Sequence, residues 1–154
     1  MIAYLRQTAA ETHFMVRLPE EVDFTLEEEE RILRNIRKSD KDLMLAAFDG
    51  DRIVGNVGVH IFHDRTKVRH RSSLGIAIIQ EYCSSGLGTI LMERGIDFAK
   101  KAGFEQLELG VFADNDRALR LYKKMGFEEI GRIPRAFRLP DGSYIDEITM
   151  VKML

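Results

Sequence analysis

The middle of the chain changes from a continuous apolar run to apolar residues at helical spacing. Residues 74–79 form a short run that is rich in β-branched side chains, which is typical of a buried strand. A polar turn over residues 80–88 follows. Beyond it, apolar residues recur on one face of a helix, at Leu87, Ile90, Leu91, Phe98 and Ala102. Residues 73–99 therefore predict a strand, a glycine-containing turn and a helix.

The pattern before this unit predicts a strand, helices and a hairpin. Loose alternation over residues 2–7 predicts a first strand, and residues 9–16 predict a short helix. Thr25, with Glu28 three residues later, predicts the start of a second helix through a capping box. Residues 42–48 and 52–62 predict two strands that pair about a tight turn at Gly50.

The pattern after the central helix predicts a strand, a helix and a final hairpin. The strand covers residues 106–112, and Asn115 or Asp114 caps the helix that follows. Residues 127–139 and 144–153 pair about a turn at 140–142. Hairpin strands with helices between them indicate an α+β domain with a mixed sheet, not a regular βαβ repeat. At 154 residues, the expectation is a single domain over residues 1–154.

Composition and charge are those of a soluble globular protein. Hydrophobic residues make up 45% of the chain and charged residues 31%, and the net charge is -2. This charge gives no general electrostatic attraction to nucleic acid or to an anionic membrane. One cysteine excludes an internal disulfide framework and fits a reducing compartment. Without a signal-peptide pattern, a cytoplasmic protein is expected.

The turn before the central helix has the chemistry of an anion site. The first turn of a helix presents unpaired N–H groups at the positive end of its dipole. Gly86 and Gly88 carry no Cβ, so a phosphate can approach the backbone closely. The residues match neither a Walker A loop nor G-x-G-x-x-G. On these residues alone, a connection that binds no ligand is an equal alternative.

Two motifs together resemble the GNAT superfamily of acetyl-coenzyme A-dependent N-acetyltransferases. Residues 83–88, Cys-Ser-Ser-Gly-Leu-Gly, resemble the family's phosphate-binding Arg/Gln-x-x-Gly-x-Gly/Ala. Residues 111–127 resemble its strand–Asn–x–x–Ala–x–x–Leu–Tyr–x–x–x–Gly–Phe signature. The resemblance covers essentially the whole chain. It implies a mostly antiparallel sheet of six to seven strands, about four helices and one splayed parallel strand pair.

The resemblance also implies a seat for acetyl-coenzyme A. The strand that ends at Ile78 and Ile79 would splay from its parallel neighbour, and the pantetheine arm would lie in the gap. Asn115 and Ala118 would flank the arm. Backbone N–H groups of the turn would hold the pyrophosphate: Ser84, Ser85, Gly86, Leu87, Gly88 and Thr89.

The implied reaction is direct transfer of the acetyl group to a primary amine of a small molecule or peptide in a ternary complex. Tyr122 matches the family's general acid for the leaving sulfur and also belongs to the cofactor site, and a backbone N–H near Ile78 would stabilise the oxyanion. The residues identify no general base and no metal site. The alternative is a module of the same fold that senses acetyl-coenzyme A without turnover.

Cys83 departs from the family pattern, which has Arg or Gln at this position. It is interpreted as a tolerated loop residue, with a nucleophilic thiol as the alternative.

The acceptor amine is expected near the helices of residues 18–37, the loop 63–67 and the final hairpin. The acidic residues Glu20, Glu21, Glu27 and Glu28 would suit a cationic amine there. An exposed strand edge in the final hairpin would allow a homodimer.

Overall fold

A computed structural model describes residues 1–154 and places six strands in one mixed sheet. The strands are β1 (Leu43–Asp49), β2 (Arg52–Ile61), β3 (Arg71–Ile78), β4 (Gln106–Phe112), β5 (Glu128–Arg138) and β6 (Tyr144–Met153). The helices are α1 (Ile2–Glu11), α2 (Leu26–Lys38), α3 (Leu87–Lys101) and α4 (Asp116–Lys124). The strand order is β1-β2-β3-β4-β6-β5, and only β3 and β4 are parallel. The predicted α+β class with a mostly antiparallel sheet is confirmed.

The predicted first strand is wrong, because residues 2–7 belong to helix α1. Tyr4 and Thr8 are both buried and lie one helical turn apart, so the loose alternation belongs to a helix face. The Tyr4 hydroxyl lies 2.8 Å from Asn56 Oδ1 and 2.7 Å from the Ala77 carbonyl oxygen, which ties α1 to the sheet. The predicted helix at 9–16 is wrong beyond Glu11, where extended backbone at Thr12 ends α1.

The predicted start of the second helix is confirmed. Thr25 caps α2, and its Oγ1 accepts a hydrogen bond of 3.2 Å from the Glu28 amide. The Glu28 carboxylate accepts a bond of 2.9 Å from the Thr25 amide in return, which completes the capping box. No helix of the structure combines the length and the apolarity needed to cross a membrane.

The two faces of the sheet carry different helices. Helix α3 packs on one face, where Leu91, Met92 and Ile96 contribute to the main core. Helix α1 packs on the other face, where Tyr4 meets Val54 and Ile79. Strand β4 alternates between these environments, because successive side chains of a strand point to opposite faces. Leu107, Leu109 and Val111 lie in the main core, and Glu108, Gly110 and Phe112 point to the α1 side.

The parallel pair β3–β4 is joined at one end only. Its register covers three pairs, from Arg71–Gln106 to Ser73–Glu108, and the strands separate beyond them. Arg71 and Glu108 form a two-pronged ion pair across this joined end, and the second prong, Nη2 to Oε2, measures 2.7 Å. The arginine also stacks over the Phe62 ring at 4.8 Å. The joined end is therefore fixed by side chains as well as by backbone pairing.

Replacing Glu108 with alanine should destabilise the fold. Glu108 is only 8% exposed, so its loss leaves the Arg71 guanidinium without its partner. We expect the free energy of unfolding to fall by about 1–3 kcal/mol. Urea denaturation of the variant would measure this loss, with Glu105→Ala as the control because that carboxylate is exposed and makes no side-chain bond. Equal stability of the two variants would contradict the importance of the ion pair.

Candidate active site

The gap between β3 and β4 exposes unpaired strand backbone. The Arg71 carbonyl and the Ile79 amide both bond to the β2 side of β3. Because alternate residues of a strand direct their peptide groups to the same neighbour, the peptide groups of Leu74, Ile76 and Ile78 point into the gap. The gap thus offers a row of backbone donors and acceptors to an extended ligand.

A cavity of about 430 Å³ opens from this gap. Elements from both sides of the sheet contribute to its lining, namely α1 and the loop after it, β3, the turn before α3, the first turn of α3, β4, α4, β5 and β6. The structure brings together eight of the predicted site residues in this lining: Ile78, Ser84, Gly86, Gly88, Thr89, Asn115, Ala118 and Tyr122.

Three predicted site residues do not line the cavity. Ile79 is completely buried and packs with Tyr4 and Val54 on the α1 side of the sheet. The Ser85 side chain turns back, and its hydroxyl donates a bond of 2.7 Å to the Tyr82 carbonyl. Leu87 packs against the core from the first turn of α3. A sequence motif does not show which side chains of a turn face a cavity, so it could not distinguish these three residues from the neighbours that line it.

The turn before α3 has the geometry of an anion site. Ser84 and Gly86 both have left-handed backbone, with φ of 64° and 91°. The amides of Ser84, Gly86 and Gly88 donate no hydrogen bond within the chain, and the turn leads directly into a helix N-terminus. Lys124 donates a bond of 3.3 Å to the Thr89 hydroxyl and adds a positive charge beside this turn. The arrangement suits a phosphate or pyrophosphate.

The Tyr122 side chain is nearly enclosed but remains unpaired. It is 7% exposed, packs in the main core and lines the cavity. Its hydroxyl makes no hydrogen bond to the protein, and burial raises the pKa of Tyr122 to about 12. The phenol therefore keeps its proton across the physiological pH range and is available to a ligand in the cavity.

Asn115 lies in the cavity wall and caps helix α4. Its side-chain oxygen accepts a hydrogen bond of 3.1 Å from the Ala118 amide and so caps helix α4. This bond starts the helix that carries Tyr122. Both Asn115 and Ala118 lie in the cavity lining, as expected of residues that flank a ligand there.

Cys83 also lines the cavity, and its side chain is only partly exposed. Its sulfur lies 3.8 Å from the Ile78 carbonyl oxygen and 3.7 Å from that of Ile79. No histidine lies in the cavity lining, so no imidazole base is placed to activate the thiol. These contacts favour the interpretation of Cys83 as a residue that packs in the turn.

An aromatic wall forms the α1 side of the cavity. Phe112 stacks on Phe137, with ring centroids 3.6 Å apart and an interplanar angle of 8°. Phe14, from the loop after α1, meets Phe112 edge-on at 6.0 Å. Met15 and Val16 continue this apolar surface. We call the surface of Phe14, Met15, Val16, Phe112 and Phe137 the aromatic wall.

Two charged residues of the cavity were missed by the sequence analysis. Arg117 and Glu147 are the only formally charged side chains in the lining. The acidic residues expected near the acceptor, including Glu20 and Glu27, do not line the cavity. The one available signal was Gly110, since a glycine inside a strand often marks close approach by another group. Glu147 fills that space, but it lies on another strand and far along the chain.

The comparisons with known proteins identify the family. Residues 4–127 match the Acetyltransferase (GNAT) family. An L-amino acid N-acetyltransferase, AaaT, of Escherichia coli (strain K12) is 30% identical over 111 residues, which cover 71% of this chain and 67% of that protein. N-alpha-acetyltransferase 30 of Schizosaccharomyces pombe is 29% identical over 97 residues, which cover 62% of this chain and 64% of that protein. The chain thus spans about two thirds of the length of these curated relatives.

The solved structures agree with this identification. An acetyltransferase of the GNAT family from Streptococcus pneumoniae superposes with a TM-score of 0.94 and 33% sequence identity, covering 99% of this chain and 91% of that one. The fold is thus shared over nearly the whole chain. The chain belongs to the GNAT family of acetyltransferases, which use acetyl-CoA to acetylate an acceptor.

Proposed function

We propose that this protein transfers the acetyl group of acetyl-CoA to the α-amino group of an amino acid or peptide. The observation that carries the proposal is the single cavity that joins an anion-binding turn, a backbone-lined gap and an aromatic wall. Such a cavity can hold donor and acceptor together, so that the amine attacks directly in a ternary complex. Acetyl-CoA would supply the thioester whose acetyl group is transferred.

The donor would occupy the turn and the gap. The free amides of Ser84, Gly86 and Gly88 fit its pyrophosphate. The unpaired peptide groups of Leu74, Ile76 and Ile78 fit the amides of its pantetheine arm. Because these contacts come from backbone, the seat does not depend on the Arg or Gln that Cys83 replaces. The Ile78 amide, which points into the gap, would stabilise negative charge on the thioester oxygen.

The acceptor would lie against the aromatic wall. One relative is an L-amino acid N-acetyltransferase and another is an N-alpha-acetyltransferase, which favours an α-amine as the acceptor here. An apolar side chain next to the amine would bury its surface on Phe14, Phe112 and Phe137. We therefore expect phenylalaninamide and peptides with N-terminal methionine to be better acceptors than spermidine or an ε-amine of lysine.

The seat for the phosphates can be tested with Gly86→Glu. Gly86 has φ of 91° and open space around a would-be Cβ, so the new carboxylate would lie in the anion site and repel the phosphates. We expect calorimetry to show acetyl-CoA binding to the wild type and a loss of affinity of at least about 10²-fold in the variant. Gly142→Glu is the matched control, because Gly142 has φ of 87°, equally open space and a position in the final hairpin turn. Equal loss of binding in both variants would indicate backbone damage and contradict the proposed seat.

The role of Tyr122 as general acid can be tested with Tyr122→Phe. The variant loses only a hydroxyl that has no protein partner, so stability and acetyl-CoA affinity should stay close to those of the wild type. We expect kcat to fall by about 10²-fold or more, because the leaving sulfur loses its proton donor. Release of free thiol from acetyl-CoA with phenylalaninamide measures this rate. An unchanged kcat in the variant would exclude Tyr122 as the general acid. A wild-type protein that binds acetyl-CoA without turnover would favour a sensor of acetyl-CoA.

A further inference from the structure

The Glu147 carboxylate occupies a space that is open only because residue 110 is a glycine. A Cβ at Gly110 would lie 1.8 Å from Glu147 Oε1 and 2.8 Å from its Cδ, so the carboxylate occupies the space above that glycine. Glu147 is on β6 directly opposite Phe112 of β4, at the end of the strand pair beside the aromatic wall. It thus brings a negative charge to the α1 side of the cavity.

This carboxylate has no partner in the protein. Glu147 takes part in no hydrogen bond and no ion pair, although its side chain is half-buried. Its neighbour Asp146 is different, because it points to the other face of β6, pairs with Arg132 at 3.3 Å and accepts a bond from the Arg135 amide. The unpaired carboxylate in the cavity wall is therefore free to bind a cationic ligand.

Few other titratable groups face Glu147. The cavity lining contributes Arg117 and Tyr122 from α4 and Cys83 from the turn before α3. Beside the aromatic wall, the His13 ring bonds to Asp114 at 2.7 Å and is therefore already engaged. From β5, Ile133 is the residue opposite Glu147. None of these groups is a basic side chain in contact with the carboxylate.

We propose that Glu147 is a catalytic residue, which binds the ammonium form of the acceptor and accepts its proton. The inference rests on the proposed function, since it concerns the acceptor end of the same cavity. Glu147 reaches the gap from the α1 side of the sheet, and Tyr122 reaches it from the core side. The acceptor nitrogen would therefore lie between a proton acceptor and a proton donor on opposite sides of the thioester.

The proton balance of the step is complete with these two groups. The ammonium gives its first proton to Glu147, which later releases it to solvent. The neutral nitrogen then attacks the thioester carbon, a C–N bond forms and the C–S bond breaks. Tyr122 donates its proton to the leaving sulfur, and the second proton released by the nitrogen restores the phenol through solvent. The products are the acetylated amine and coenzyme A as a thiol.

The pH dependence of Glu147→Gln distinguishes this role from a structural one. Near pH 7 most of a free α-amine is protonated, and at pH 9.5 nearly all of it is neutral. We expect the variant to have a kcat/KM for phenylalaninamide about 10²-fold below the wild type at pH 7. The deficit of the variant relative to the wild type should narrow by about fivefold or more at pH 9.5, because the amine there no longer has to lose a proton before it attacks. The deficit of Tyr122→Phe should not narrow, because Tyr122 keeps its proton at both pH values.

The controls separate this inference from the proposed function. Glu129→Gln removes an exposed carboxylate on β5 outside the cavity and should behave as the wild type. The calorimetric Kd for acetyl-CoA should be unchanged in Glu147→Gln. If the wild type turns over and Glu147→Gln keeps its kcat/KM, or shows the same deficit at both pH values, the inference is wrong and the proposed function stands. If the wild type acetylates no α-amine, both are overturned.

The position of the carboxylate can be tested through Gly110. In Gly110→Ala the new methyl group must displace the Glu147 carboxylate, which is the flexible end of its side chain. We expect kcat/KM to fall by about tenfold or more in the wild-type background and to change little when Glu147→Gln is already present. Equal effects in both backgrounds would mean that Gly110 acts independently of Glu147 and would contradict the inferred placement.

Discussion

The site depends on the short parallel pairing of β3 and β4. Three residue pairs and the Arg71–Glu108 ion pair hold one end together. Each strand is paired along its length with an antiparallel neighbour, β3 with β2 and β4 with β6, so both can separate without losing their place in the sheet. Their separation leaves the peptide groups of Leu74, Ile76 and Ile78 without strand partners. Unpaired backbone inside a sheet is costly, and a ligand with amide groups is the natural partner for it.

The gap also connects the two faces of the sheet. The strand alternation that sends Leu109 and Val111 into the main core sends Gly110 and Phe112 to the α1 side. As a result, α4 contributes Tyr122 from one side, and β6 contributes Glu147 from the other. A continuous sheet would keep these groups apart. The splayed pair therefore opens the cavity and brings to it two polar groups that the core would otherwise separate.

The pattern of residues predicted the local features well, whereas the long-range arrangement of the sheet followed only from the family resemblance. The β3–turn–α3 unit, the capped helix at Thr25 and the helix with Tyr122 follow from residues close together in the chain, and short motifs carry that information. The N-terminal helix was missed because six loosely alternating residues fit a strand as well as a helix, and only the contact of Tyr4 with Asn56 and Ala77 decides between them. Glu147 was missed because its place over Gly110 depends on the pairing of β4 with β6, which no local pattern records.

The two ends of the cavity differ in how they depend on side chains. The turn before α3 presents free backbone amides and the left-handed conformation of Ser84 and Gly86, so the anion site that we propose there depends little on side chains, including that of Cys83. The aromatic wall and Glu147 act through side chains, from the loop after α1 and from β5 and β6. Substitutions at that end change shape and charge directly, while the fold and the turn before α3 stay intact. Under the proposed function, the fold therefore keeps the donor site constant while the side chains of the aromatic wall and Glu147 determine which amine reacts.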